Sequence, residues 1–168
     1  MPTDGDPGAT GDLVLRPGLH EDLPAVADLF VASRVGAVPA MPPIVGPVDQ
    51  ARRWVLGWDL ARQQLWVAEA AGGLVGFANI EADWLNGLYV APAAARSGIG
   101  SALLDLVKGL RPGGFCLWVF ESNEPARAST AGTGWSTSSG PTGTATWSGH
   151  RTSGWPGPAP TRSPSTAG

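Results

Sequence analysis

Two glycines in Gly98-Ile99-Gly100-Ser101-Ala102-Leu103-Leu104 follow shortly after the apolar run Leu88-Tyr89-Val90-Ala91-Pro92. A strand, a loop of small residues and a helix opened by glycines can together hold an anion. The first turn of a helix carries backbone N–H groups without intrahelical partners and the positive end of the helix dipole. Glycine lets a phosphate come close to that backbone. A glycine-rich helix start that binds nothing has the same spacing, so context must decide. Three carboxylates flank the region: Glu81 and Asp83 lead into Trp84–Val90, and Glu69 lies on the strand before. Each could serve as a general base, although the plainer reading of each is a solvated surface group.

The nucleotide-binding alternatives fail on spacing. A dinucleotide fingerprint needs a third glycine where Leu103 stands, and a P-loop needs Gly-Lys-Ser/Thr where Gly100-Ser101-Ala102 stands. The segment instead resembles motif A of the GNAT-type N-acetyltransferase superfamily, a strand ending V-x-P and then Q/R-x-x-G-x-G/A opening a helix. Val90-Ala91-Pro92 and Gly98-Ile99-Gly100 fall in that register, with Ala95 in place of the usual Gln or Arg and Arg96 one position later. The resemblance extends both ways. Leu74-Val75-Gly76-Phe77-Ala78 is similar to the family's V-G-F/Y strand, and Trp84 to Val90 to the strand that leads into motif A. The run from Leu117 through Asn123 to Arg127 is similar to its L-x-V-x-x-x-N-x-x-A-R segment.

The resemblance implies acetyl transfer from acetyl-CoA, the cosubstrate, to a primary amine. Backbone groups of Leu88 and Val90 would receive the acyl end. The loop Arg96, Ser97, Gly98, Ile99, Gly100 and Ser101 would hold the pyrophosphate, and Asn123 would contact the pantetheine arm. A base or a water chain must take a proton from the amine, and the oxyanion needs a donor. The family's acid, a Tyr in a following F-Y-x-x-x-G-F/L, is expected to be absent.

The resemblance ends near residue 128. Residues 129–168 contain only Ser, Thr, Ala, Gly, Pro, Trp, Arg and His150. A low-complexity tail would have this composition. The composition also fits a shifted reading frame, because every residue type there except His can be encoded with C or G at the middle codon position. A GC-rich gene favours those bases at the third position, and a one-base shift moves them to the middle. In the other frame Ala128-Ser129 permits Phe and Ser129-Thr130 permits Tyr, followed by R-R-H-G and an aliphatic residue. That restores F-Y-x-x-x-G-L at the family's distance from Ala126-Arg127.

Composition bounds the rest. The chain of 168 residues is long enough for one domain with a real core. Its formal charge of −3 argues against a nucleic-acid surface. No apolar run reaches membrane-spanning length, and Met1–Gly11 is polar and Gly-rich without a secretory pattern. The single cysteine, Cys116, lies in an apolar run, expected buried, and fits a reducing cytoplasm. No group of residues has metal-ligand spacing; His20 reads as a surface residue.

The elements that must position the site follow from periodicity. Strands are expected at Leu13–Pro17, Leu65–Glu69, Leu74–Ile80, Trp84–Val90 and Phe115–Phe120. Helices are expected at Glu21–Arg34, at Asp49–Leu60 with Val55 and Leu56 inward, and at Gly98–Gly109. Trp66, Trp84 and Trp118 read as core residues. The fold class is α/β: a GNAT-like mixed sheet with helices on both faces, its C-terminal strand pair missing or replaced by a disordered tail. Residues 1–11 are expected to be disordered, 12–128 to form the acetyltransferase domain, and 129–168 to be a frameshifted tail. The function implied is an N-acetyltransferase acting on a small amine or peptide, impaired in this chain. The alternative is a remnant that binds CoA or a partner without turnover. Neither nucleic acid nor membrane is expected as a partner.

Overall fold

The computed structural model describes residues 12–37, 44, 46–119, 135–138 and 143–147, with side chains described as far as Leu117. The expected disorder of residues 1–11, Asn123, Trp118 as a core side chain and most of the tail lie outside the described residues. The elements are β1 (Val14–Pro17), α1 (Leu23–Gly36), α2 (Val48–Leu56), β2 (Gln64–Ala70), β3 (Gly73–Glu81), β4 (Trp84–Val90), α3 (Ile99–Leu110), β5 (Phe115–Val119), β6 (Trp135–Ser138) and β7 (Gly143–Trp147). They build one mixed sheet in the order β1-β2-β3-β4-β5-β7-β6. All neighbours are antiparallel except β4 and β5, which are parallel.

Alternation along the central strands sends side chains to two cores. Ala78 and Ile80 face α3 and pack with Ile99, Leu103 and Val107. Val67 and Phe77 face the other way, onto Val26, Phe30 and Val55 of α1 and α2. Gly76 sets how closely α3 can approach. A Cβ there would stand 3.0 Å from Ile99 Cγ2 and 3.1 Å from Leu103 Cδ1. On the opposite face Phe30, Trp54, Trp58, Phe77 and Tyr89 close a ring of aromatic contacts, with centroids 5.0 to 5.9 Å apart. An ion pair between Arg52 and Asp28 also ties α2 to α1.

Two boundaries differ from expectation for local reasons. The second helix stops at Leu56 because Gly57 follows, and Asp59 then folds a turn by accepting the Ala61 N–H at 3.0 Å. Val55 is buried as expected, but Leu56, expected inward, is exposed, while Trp58 beyond the helix is buried. The other difference lies in the tail. Trp135–Ser138 and Gly143–Trp147 form strands, and β7 pairs with β5 from Phe115 to Val119. The expected loss of the closing strand pair is therefore not what these residues show, and the outer edge of β5 is paired. A ladder is made by backbone groups, and Thr and Trp suit a strand without aliphatic neighbours.

Before α1, Arg16 joins β1 to the helix entry and to β2. Its guanidinium donates to both Asp22 oxygens at 2.8 Å and to Glu69 Oε2 at 2.8 Å. Asp22 also accepts the Leu19 N–H at 2.8 Å. The Arg16 hydrogen bond comes first among the causes that hold the Asp22 carboxyl below its ordinary value. A carboxyl depressed in the folded state stabilises above its unfolded pKa, and that contribution is lost as pH falls through the folded value. Asp22→Asn is expected to cost about 2 kcal/mol at neutral pH and to flatten the loss of stability below about pH 4. Urea unfolding of both chains between acid and neutral pH checks this; parallel curves would contradict it.

Candidate functional site

The site is built where β4 and β5 part. They pair only at Trp84↔Cys116 and Leu85↔Leu117, although β4 continues to Val90 and β5 to Val119. On its other side β4 stays paired with β3 as far as Gly76↔Val90. Successive residues of a strand turn their backbone groups to opposite edges. The Ala91 N–H reaches Val75 O on β3 at 2.8 Å. Val90 and, two residues earlier, Leu88 therefore present N–H and C=O to the side on which β5 has departed.

The start of α3 stands over the same place. Gly98 precedes the helix at φ 84° with no side-chain cap, and the helical ladder opens with Ala102 N–H to Gly98 O at 2.9 Å. The amides of Ile99, Gly100 and Ser101 thus point out of the helix end. Arg96 also has positive φ, 65°, and Ser97 Oγ donates to Ala94 O at 2.6 Å, which folds the loop tightly. A Cβ on Gly98 would meet nothing within 4 Å, so the loop is open above that glycine. One on Gly100 would lie 3.6 Å from Val90 Cγ2 and 3.9 Å from Leu88 Cδ2. A donor-rich cradle and an open strand edge are side by side, which suits a long ligand with an anionic middle and an acyl end.

Of the expected site residues, the structure brings together Leu88, Val90 and the loop Arg96–Ser101. It does not bring the three carboxylates to them. Glu81 pairs with Trp84 at the far end of β4, six residues or about 20 Å of strand from Val90. It accepts a long hydrogen bond from Asn86 Nδ2, 3.4 Å. Asp83 is exposed in the adjoining turn, 3.9 Å from Arg111 Nε. Glu69 is bound by Arg16 two strands away, and that hydrogen bond chiefly holds its carboxyl below the ordinary range. A carboxylate held in its charged form by a guanidinium is a poor proton acceptor.

Two residues outside the expected set face this end of β4. Ser33 of α1 donates to Val90 O at 2.7 Å. Tyr89 lies on the aromatic side; burial pushes its phenol up, and the Arg34 guanidinium, which donates to it, partly offsets this. Ser33 had a signal in the sequence: it continues the buried stripe of Leu23, Val26, Ala27 and Phe30 at helical spacing, and a hydroxyl there needs a partner.

A parted parallel strand pair beside a bare, glycine-led helix start is the arrangement that the resemblance to the acetyltransferase superfamily implies for holding an acyl-CoA. Residues 61–130 match the family model described as an acetyltransferase (GNAT) domain. The chain is 33% identical over 120 residues to the peptidyl-lysine N-acetyltransferase YiaC of Escherichia coli strain K12, covering 67% of this chain and 76% of that protein. Among solved structures it is similar to the PaiA N-acetyltransferase of Thermoplasma acidophilum in complex with coenzyme A. There the TM-score is 0.64 and the identity 17%, over 82% of this chain and 99% of that one. It is also similar to YncA of Salmonella typhimurium with acetyl-CoA, at TM-score 0.61 and 14% identity over 87% and 99% of the two chains. These two likenesses are of fold. The chain belongs to the GNAT acetyltransferase family, whose members are acyl-CoA-dependent N-acyltransferases that use acetyl-CoA. Among the described residues no helix is long and apolar enough to cross a membrane.

Proposed function

We propose that this chain moves an acetyl group from acetyl-CoA to a primary amine of a small molecule or peptide, with a lysine side chain in a peptide as the first acceptor to test. The carrying observation is the juxtaposition of the open β4 edge with the uncapped start of α3. The amides of Arg96 to Ser101 hold the pyrophosphate. The N–H of Val90, or of Leu88 beside it, donates to the thioester oxygen and stabilises the charge that grows there. The positions of Glu81, Asp83 and Glu69 favour water as the group that takes the amine proton. The peptidyl-lysine activity of the relative YiaC supports the acceptor class.

We also propose that this chain is impaired and that a frame change near codon 128 has removed the tyrosine that would return a proton to the CoA thiolate. The test is thiol release with a panel of small amines, lysine peptides and peptide N-termini, with acetylated products identified by mass spectrometry. Slow transfer to a primary amine, rising with pH as the neutral amine fraction rises, is the expected result. Tight CoA binding with no acetylated amine would favour a non-catalytic remnant.

A further inference from the structure

We propose that Ser33 is a positioning residue for the acyl end of the donor, acting through the Val90 peptide; this rests on the acetyl-CoA reading above. The Val90–Ala91 peptide is held at both ends. Its carbonyl accepts from Ser33 Oγ at 2.7 Å, and its N–H donates to Val75 O at 2.8 Å. Ser33 is 9% exposed. One turn on, Gly36 lies so close to Pro92 that a Cβ there would be 2.9 Å from Pro92 Cγ. The last turn of α1 is therefore seated on the end of β4, and Gly36 permits that approach.

The chemical consequence lies at the open edge. Val90 N–H and C=O face the same side. An unoccupied carbonyl there would repel a thioester oxygen, which is also an acceptor, and would attract the S–H of free CoA, which is a weak donor. With one of its two lone pairs taken by the Ser33 hydroxyl, the Val90 carbonyl is a weaker acceptor, and the balance of the edge shifts toward its N–H donors. It then favours the acyl form of the ligand and releases the thiol product more readily. Ser33 makes no contact with the reacting atoms in this scheme; its effect passes through one peptide unit.

Ser33→Ala and the near-isosteric Ser33→Cys test this by calorimetry with acetyl-CoA and with CoA. The preference for acetyl-CoA over CoA is expected to fall at least fivefold in Ser33→Ala, with Ser33→Cys between it and the parent because a thiol is a weak donor. If the alanine variant does not fold, the cysteine variant alone must show the narrowing. A folded variant that keeps the parent's ratio overturns the proposal. Amide exchange at Ala91 without ligand separates this proposal from the function it rests on: removal of the hydroxyl should speed exchange at least tenfold. If neither ligand binds the parent, the acetyl-CoA reading falls, and an unchanged Ala91 rate overturns the clamp independently.

Discussion

Gly98→Asp and Gly100→Asp are each expected to weaken acetyl-CoA binding at least a hundredfold, about 2.7 kcal/mol, while the protein stays folded. The two positions act differently. At Gly98, φ of 84° strains any L side chain, and the space above it is open, so the carboxylate stands where phosphate would approach. At Gly100 a Cβ makes only ordinary contacts, 3.6 Å to Val90 Cγ2 and 3.9 Å to Leu88 Cδ2, so shape is tolerated and charge does the damage. At Gly100 a carboxylate in the first turn is favourable for the helix itself, so lost binding there would not reflect unfolding, and a thermal melt checks that the strained Gly98→Asp chain stays folded. Gly100→Ala is the control: it adds the Cβ without the charge and should bind within a few-fold of the parent. Calorimetry measures all three. Unchanged binding in both aspartate variants would place the pyrophosphate elsewhere.

A chain read with one base supplied near codon 128 is expected to turn over about 10²- to 10⁴-fold faster than the present chain, the usual magnitude for gain or loss of a general acid. The shifted reading restores F-Y-x-x-x-G-L after Ala126-Arg127 and, with it, the family's tyrosine. Changing that tyrosine to Phe should reverse most of the gain. The tail strands sharpen this prediction. Because β7 already pairs with β5, the gain should appear mainly in kcat and less in thermal stability. Equal rates for the two chains would remove the frame change as an account of activity. A restored chain that folds and acetylates no amine would favour the remnant.

The parts of the site made by backbone were legible because they depend on residue types with narrow conformational uses. Val90-Ala91-Pro92 ends a strand, and Gly98 takes the left-handed conformation that precedes α3. Parts that depend on tertiary pairing were not. That β4 and β5 separate after Leu85 and Leu117 is a property of two strands with a helix between them, and neither strand's own pattern carries it. Glu69 reads as a possible base until Arg16, distant in sequence, is found bound to it. The partner of Ser33 is likewise distant, so the buried stripe of α1 announces that a partner exists without saying which. The tail misleads in the opposite direction. Its lack of aliphatics argues against a core contribution, yet Trp135–Ser138 and Gly143–Trp147 extend the sheet through backbone pairing, which composition constrains weakly.

The placement of acetyl-CoA between the β4 edge and the α3 start is most directly tested by titrating the ligand into isotopically labelled protein and following backbone amide resonances. The amides of Leu88, Val90 and Arg96 to Ser101 should shift together and saturate at one ligand per chain, with Val90 or Leu88 responding more to acetyl-CoA than to CoA. Saturation with these amides unmoved, or with the largest shifts at the far end of β4 around Glu81 and Asp83, would contradict that placement.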